Sequence, residues 1–449
     1  MKKILSFVFL FFLSSAVFCG TSQAWQPGQP HDKYTLQKIV ILSRHNIRSP
    51  MTEGGRLDKI TPHEWFKWTS APAELSVLGG QRETMMGQFF RKWLASENFI
   101  TENYLPKSGE MFFYANSRQR TIATAQYFSS GMLPMANTRI EYKKKIKEHT
   151  PGFSLDLSYA GDNYTKLAKQ QFDLIGGADM VSGKDRRLAE SFALLEKVLD
   201  YNQSVIADEI RAKAESATAD DKYRLPQKKD VHFTAKDTKI KLKKGKGASM
   251  KGTISSAVQA ADALILQYYE EPDDLKAAFG HNISFEDWQD IGRITNYYGN
   301  MLLRTPAVAV NIANPMIRLL SKELSNKKRR FSFICGHDST IASVMAALNA
   351  ETLSLPDAVE TATPIGGKLM FAKWIGQDGK EYASVDMVYQ TARQIRGRET
   401  LSLQNPPAVY PITLQSLPQN EDGFYNYADV QQRFSEAISS FKQLKEIAK

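Results

Sequence analysis

Cysteine is scarce in this sequence, because only Cys19 and Cys335 occur among its 449 residues. Cys19 lies in an N-terminal segment that we predict to be removed, which would leave Cys335 alone. A single cysteine cannot form an intramolecular disulfide. We therefore expect core packing to stabilise the fold, and a composition that is 42% hydrophobic and 24% charged allows a core of ordinary size.

Long apolar runs are also lacking, apart from one short run near the N-terminus. There, "MKK" precedes "ILSFVFLFFLSSAVF", and small residues follow. This order predicts a secretory signal peptide over residues 1–24, cleaved between Ala24 and Trp25. A membrane anchor is the weaker interpretation, because a spanning helix needs roughly 20 apolar residues. We expect a periplasmic or secreted bacterial protein with no membrane association after cleavage.

Negative charge is the minority, and the formal net charge is +10. Nine lysines and only two aspartates lie between Lys228 and Lys251. Such a run is usually a solvated loop or hairpin, and anion or surface binding is the alternative. No zinc-ligand spacing and no aromatic-rich basic strand accompany it. A nucleic-acid partner would rest on net charge alone, and we do not expect one.

Three segments share a pattern in which an apolar run leads into a polar turn. They are "KIVIL" before "SRHNIRSP", "MFFYAN" before "SRQRTIATAQYF", and "RFSFIC" before "GHDSTIASVMAAL". Strands that lead into helices predict an α/β fold with a mostly parallel sheet flanked by helices. Residues 151–301 have helical periodicity, which predicts a mainly α-helical domain inserted between the core halves 25–150 and 302–449. A Gly-Gln-Asp-Gly turn predicts a late hairpin.

The residues that could perform chemistry lie in these polar turns. Ligands of open α/β sheets bind beyond the carboxyl ends of the strands, so side chains from all three turns could converge. His45 lies between Arg44 and Arg48. Neutral imidazole is a nucleophile toward phosphorus, and nearby guanidiniums disfavour its protonation and match phosphoryl oxygens. The simpler interpretation is a basic strand end in which His45 is structural.

The other two turns offer partners for His45. His337 could bind a phosphoryl oxygen, and Asp338 could protonate a leaving alkoxide. Alternatively, Asp338 could cap the helix that follows. Arg120 could complete an anion pocket at a helix N-terminus, with Arg118 as the competing residue. The seven histidines show no metal-ligand spacing, so we predict no metal and no cofactor.

Several blocks of the chain resemble the histidine acid phosphatase family, the exported branch of the histidine phosphatase superfamily. From about Tyr34 to about Leu414 they are "SRHNIR", "YANS", "QRTIATAQYF", "LQYYE", "GHDS" and "TPIGGK". The resemblance implies metal-independent hydrolysis of phosphate monoesters through a phosphohistidine at His45, with Asp338 as proton donor. It also implies a set of residues that hold the phosphoryl group, namely Arg44, Arg48, Arg120 and His337.

The resemblance also bears on the substrate, which we expect to be a small phosphorylated molecule. A sugar phosphate such as glucose 1-phosphate is the first hypothesis; phytate or a broad range of monoesters is the alternative. Glu270 matches an acidic position that lines the sugar pocket, but Glu271 or a solvated helix end are competing interpretations. Asn46 departs from the family's usual glycine. A non-catalytic, anion-binding use of the fold would be marked by loss of His45 or Asp338, and both are present.

Overall fold

The structure is a computed structural model that describes residues 32–51, 55–143, 145–217 and 230–448. The predicted signal peptide, residues 1–24, lies outside the described residues. The strands are β1 (Tyr34–Arg44), β2 (Met111–Ala115), β3 (Lys239–Lys241), β4 (Ser249–Lys251), β5 (Phe331–Gly336), β6 (Lys368–Gly376), β7 (Glu381–Tyr389), β8 (Ala408–Pro411) and β9 (Tyr425–Asn426).

The α-helices connect and cover these strands. They are α1 (Val77–Ser96), α2 (Gln119–Met132), α3 (Asp162–Phe172), α4 (Ala178–Ser182), α5 (Arg186–Val198), α6 (Val205–Ala217), α7 (Thr253–Glu270), α8 (Asp274–Ala277), α9 (Phe285–Leu303), α10 (Pro306–Ser325), α11 (Asp338–Ala347), α12 (Ala392–Arg396) and α13 (Tyr427–Ile447). None of the described helices is both long enough and apolar enough to span a membrane.

The main sheet has seven strands in the order β2-β5-β1-β6-β7-β8, and β9 pairs with β7. The predicted helix-flanked α/β sheet is confirmed, but the sheet is mixed rather than mostly parallel. β2, β5 and β1 run parallel, whereas β6 joins β1 in the antiparallel direction and the later pairings are also antiparallel. The late hairpin accounts for the antiparallel pairing of β6 with β7, because the chain turns back at 377–380, and β6 itself enters the sheet in the direction opposite to β1.

Both faces of the sheet are covered by helices, which explains why β1 contains the continuous apolar run Ile39–Leu42 rather than an alternating pattern. Ile39 and Ile41 point to the face that α1 and α2 cover, where they join a core that contains Phe90 and Phe128. Val40 and Leu42 point to the opposite face, and the core there includes residues of α10, α11 and α13, among them Met316, Val344 and Phe434.

A third core lies mainly among the helices between residues 162 and 303, and it includes Leu195, Leu264 and Ile291. The lysine-rich segment contributes the separate two-stranded sheet β3–β4. Met250 of β4 is buried, while the described lysines of the hairpin are exposed. The division into an insertion at 151–301 and core halves at 25–150 and 302–449 stays a prediction. Cys335, on β5, is a buried free thiol.

Candidate active site

The candidate site lies where three parallel strands end at one edge of the sheet. β5 is the middle strand of the three, and its last residue, Gly336, pairs with Arg44 at the end of β1. The His45 N–H donates to the Gly336 carbonyl at 3.1 Å, and the Asn116 N–H donates to the Cys335 carbonyl at 3.0 Å. The turns that follow β1, β2 and β5 therefore meet at this edge.

His45 is held in one tautomer. The side chain is buried, with 3% of its surface exposed. Its Nδ1 lies 2.8 Å from the carbonyl oxygen of Asn46, and a carbonyl can only accept, so Nδ1 carries the proton and Nε2 has the lone pair. Burial lowers the pKa of His45 well below its usual value, and the charges of Arg120 and Arg48 lower it further. The ring is therefore neutral at mildly acid pH, with a nucleophilic Nε2.

Arg44 is oriented by a buried carboxylate. Its Nη1 donates to Glu360 Oε1 at 2.8 Å and to the Thr363 carbonyl at 2.6 Å. The Tyr269 hydroxyl donates to the other Glu360 oxygen at 2.7 Å. Tyr269 comes from α7 and Arg44 from β1. Glu360 therefore fixes the Arg44 guanidinium between the sheet and the helices of residues 162–303, which we call the helical region.

Arg48 and Arg120 are buried beside the same ring. Arg48 Nη2 donates to both carboxylate oxygens of Asp262, at 3.2 and 3.0 Å, and its Nη1 donates to the Ser49 carbonyl. Arg120 Nη1 donates to the Ala73 carbonyl at 3.3 Å. Burial and then the charge of Arg48 lower the pKa of Arg120 to about 10, so it remains a cation at acid and neutral pH.

Each of the three guanidiniums has one buried N–H donor that lacks a hydrogen-bond partner within the part of the chain that the structure describes. The Nε atoms of Arg44, Arg48 and Arg120 are each buried without a hydrogen-bond partner among the described residues. Buried donors are normally paired, and all three guanidiniums are close enough to lower the pKa of His45. An anion with several acceptor oxygens, such as a phosphoryl group, matches donors arranged around one imidazole.

His337 lies beside His45 but is neutral. The two ring centroids are 5.5 Å apart and the ring planes meet at 71°. The Asn116 side-chain nitrogen lies 2.7 Å from His337 Nε2 and donates to it, which leaves the ring proton on Nδ1. Burial, followed by the charge of Arg120, lowers the pKa of His337 to about 3. His337 therefore offers a neutral N–H donor, and the positive charge of the site comes from the arginines.

Asp338 is the first residue of α11, and the N-cap position belongs to His337. The Asp338 side chain is 51% exposed, and its Oδ2 lies 3.7 Å from Arg44 Nη2. Oδ1 accepts the Ser339 N–H at 2.7 Å. Desolvation raises the pKa of Asp338, but the charge of Arg44 and the hydrogen bond from the Ser339 N–H outweigh it and hold the pKa below its usual value. One carboxylate oxygen of Asp338 therefore accepts a backbone N–H at the start of α11, while the other lies near Arg44 in a solvent-accessible position.

Glu270 is the last residue of α7. Its carboxylate contacts Ser76, and burial raises its pKa. The acidic residue of α7 that contacts an arginine of the site is Asp262, eight positions earlier, which pairs with Arg48. Glu271 Oε1 accepts the Asp273 N–H at 3.0 Å. A sugar-binding role for Glu270 stays a prediction.

A buried ion pair lies beneath the nucleophile turn. Lys368 Nζ is 2.9 Å from Glu83 Oε1, and both side chains are 0% exposed. Glu83 Oε2 accepts the Asn46 side-chain N–H at 2.8 Å, and Asn46 Oδ1 accepts the Ile47 N–H at 2.9 Å. Lys368 also donates to the Gly366 carbonyl at 2.8 Å. This network fixes Asn46, whose carbonyl in turn fixes the tautomer of His45.

Sequence reasoning missed the residues that orient the site, namely Glu83, Asn116, Asp262, Glu360 and Lys368. Lys368 did leave a signal, because it directly precedes the apolar run of β6, whereas Glu83 stands beside Arg82 on α1 and is not conspicuous. The others carry no such signal, since their partners are set by tertiary contacts between distant segments.

A histidine with a free Nε2, surrounded by three arginines at the carboxyl edge of a helix-flanked sheet, defines a phosphatase of the histidine type. The chain belongs to the histidine phosphatase superfamily (branch 2), whose family model matches residues 35–390. The family predicted from the sequence is thereby confirmed.

Relatives agree with this assignment over nearly the whole chain. A glucose-1-phosphatase from Salmonella typhimurium is 30% identical over 412 residues, which cover 90% of this chain and 92% of the relative. A glucose-1-phosphatase from Providencia rettgeri is 29% identical, with 95% and 97% covered. A phytase structure from Citrobacter braakii has the same fold, with a TM-score of 0.78 at 24% identity, covering 91% of this chain and 98% of that one.

Proposed function

We propose that the protein hydrolyses phosphate monoesters by transferring the phosphoryl group first to His45 Nε2 and then to water. The observation that carries the proposal is the state of His45. Its Nδ1 is fixed by a carbonyl, its ring is kept neutral, and the buried guanidiniums of Arg44, Arg48 and Arg120 surround it. Such an arrangement binds an anion and presents a nucleophile to it.

In the first step, the three arginines bind the non-bridging phosphoryl oxygens and spread the charge of the transition state. The His45 Nε2 lone pair forms a P–N bond while the bond between phosphorus and the ester oxygen breaks. His337 adds a neutral N–H donor. Asp338, in its protonated form, gives its proton to the departing alkoxide. The products are an alcohol and a phosphorylated His45.

In the second step, water attacks phosphorus, the P–N bond breaks, and inorganic phosphate leaves. The Asp338 carboxylate formed in the first step accepts the proton of that water. In the free protein the pKa of Asp338 lies below its usual value. A bound phosphate ester adds negative charge beside it, which raises the pKa again. Activity at acid pH follows, since His45 stays neutral there while Asp338 can be protonated.

For the substrate, we propose sugar phosphates of the glucose 1-phosphate type. The two relatives near 30% identity are glucose-1-phosphatases, whereas a phytase of Escherichia coli is 25% identical. The helical side of the site also carries a carboxylate, Asp262, which pairs with Arg48. This carboxylate disfavours a highly charged leaving group such as a phosphorylated inositol and suits an uncharged sugar.

We further propose export through the signal peptide at residues 1–24.

A comparison of kcat/KM for glucose 1-phosphate, other sugar phosphates and phytate tests this proposal at pH 5. We expect glucose 1-phosphate to have the highest value. A higher value for phytate would replace the sugar-phosphate assignment with the phytase alternative. Failure to hydrolyse any of these esters, or p-nitrophenyl phosphate, would leave only anion binding and would contradict the enzymatic proposal.

A further inference from the structure

A second cluster of ligating side chains lies outside the catalytic site. His63 Nε2 is 2.7 Å from Asp200 Oδ2, and His281 Nε2 is 3.3 Å from the same oxygen. The three candidate ligand atoms lie within 4.8 Å of one another, and within the described part of the chain this is the one such group. Each residue comes from a different segment, since 137 and 81 positions separate the pairs.

The chemistry of this donor set suits a divalent transition metal. Two imidazole nitrogens and one carboxylate oxygen are ligands that Zn²⁺ accepts, at about 2.0–2.2 Å. Ligands at those lengths in a tetrahedron are about 3.3 Å apart, which is the separation of His281 Nε2 from Asp200 Oδ2. The distance between His63 Nε2 and Asp200 Oδ2 would have to lengthen by about 0.6 Å to reach the same value.

The site is accessible and its ligands are held by their surroundings. The side chains of His63, Asp200 and His281 are 30%, 29% and 24% exposed, so an ion and a water can reach them. The His63 ring stacks on Phe279, with centroids 4.9 Å apart. Asp200 and Phe279 both have left-handed backbones, with φ of 46° and 53°. Aspartate tolerates this conformation, whereas it is unfavourable for a bulky residue such as Phe279, which packs against the cluster.

We propose that His63, Asp200 and His281 form a Zn²⁺ site with an open fourth position for water. The ion would replace two hydrogen bonds to one oxygen with three coordinate bonds, and each imidazole would ligate as the neutral tautomer protonated at Nδ1. No local spacing reveals the site in the sequence, because the fold alone brings the ligands together.

The metal site would link the loop between β1 and α1, which contacts the catalytic residues, to the helical region. His63 belongs to the loop after β1, and further along this loop the Ala71 carbonyl accepts from Ser49 and the Ala73 carbonyl accepts from Arg120. Asp200 and His281 belong to the helical region. Zinc would therefore stabilise the folded protein without touching the reacting atoms, and the phosphatase chemistry would remain independent of it.

Thermal unfolding with added Zn²⁺ tests the proposal on the full chain, after treatment with a chelator and in a buffer without phosphate. We expect Zn²⁺ to raise the Tm in a concentration-dependent way, and Mg²⁺ and Ca²⁺ to leave it unchanged, since they prefer all-oxygen ligands. Titration calorimetry should give one site. Co²⁺ should give the visible absorption of a four- or five-coordinate ion.

Matched variants decide whether the ion is at this site. His63→Gln and His281→Gln should each weaken Zn²⁺ binding by at least about 10-fold. His149→Gln and His232→Gln are controls, because each of these histidines contacts one carboxylate, Asp156 or Glu196, at 2.7 and 2.9 Å. No Zn²⁺ response in the unaltered protein, or an equal response in all four variants, would overturn the proposal. Two independent ligand variants keep the test valid if one misfolds.

Discussion

Replacement of Lys368 by methionine tests whether the buried ion pair positions the nucleophile turn. The change removes the cation that lies 2.9 Å from Glu83 and leaves that carboxylate with 0% exposure. Methionine fills much of the same volume, so the effect is electrostatic rather than a cavity. Breaking a fully buried pair by removing one partner costs about 3–5 kcal/mol, because the remaining charge is uncompensated. Glu83 would protonate or move, and its hydrogen bond from Asn46 would weaken.

A second change separates the charge from the hydrogen bond. Glu83→Gln removes the charge but keeps a side-chain oxygen. That oxygen can still accept the Asn46 side-chain N–H, which lies 2.8 Å from Glu83 Oε2 in the unaltered protein. In the double variant Glu83→Gln, Lys368→Met no unpaired ion remains. We expect it to recover all but about 1–2 kcal/mol of the stability, since replacing both partners of a buried pair is often nearly neutral.

The assay is a double-mutant cycle with two readouts, namely the free energy of unfolding in urea and the kcat for p-nitrophenyl phosphate. Each single change removes one partner of the buried pair and costs about 3–5 kcal/mol, whereas the double variant costs about 1–2 kcal/mol. We therefore expect a coupling energy of at least about 4 kcal/mol in favour of the pair. We also expect kcat to fall in Lys368→Met and to return with the hydrogen bond in the double variant. A coupling near zero would show that Lys368 and Glu83 do not act as a pair. A double variant that regains stability but not kcat would show that the hydrogen bond from Asn46 to residue 83 is not what links the buried pair to kcat.

Three further variants test the roles proposed for individual side chains. Asp338→Asn should lower kcat/KM for glucose 1-phosphate by about 10²- to 10⁴-fold but lower that for p-nitrophenyl phosphate far less; an equal loss would contradict proton donation. Arg120→Gln should raise the pKa of His45 and move the acidic limb of kcat/KM to higher pH, because the imidazole must be neutral to attack. Arg118→Gln is its control, and a shift in both variants would count against Arg120. Glu270→Gln should raise KM for glucose 1-phosphate by roughly 10-fold or more without affecting p-nitrophenyl phosphate; if KM is unchanged, Glu270 lies outside the sugar pocket.

The sequence pattern was informative where structure follows from local chemistry. The apolar runs before "SRHNIRSP" and "GHDS" predict β1 and β5, and the polar turn after each predicts the edge at which Arg44 and Gly336 pair. His45 was identifiable because an imidazole between two guanidiniums is a poor packing residue. The late hairpin was also visible, although its antiparallel addition to β1 was not.

The remaining parts of the site depend on contacts between segments distant in the chain. Asp262 pairs with Arg48 across 214 positions, and Tyr269 contacts Glu360 across 91. Such pairings arise from the packing of α7 against the sheet edge, which periodicity does not specify. The neutral state of His337 likewise depends on burial and on Arg120, and neither is encoded near "GHDS".

Phosphoryl transfer through His45 Nε2 is tested most directly by detection of the phosphorylated intermediate. The Asp338→Asn variant would be mixed with p-nitrophenyl phosphate, because that leaving group needs little protonation while water attack is slowed. Quenching in alkali preserves a phosphoramidate, and peptide mass spectrometry then locates the added group. We expect phosphate on the peptide that contains His45, and none when His45 is also replaced by alanine. Turnover without a modified His45, or hydrolysis that persists in His45→Ala, would contradict it.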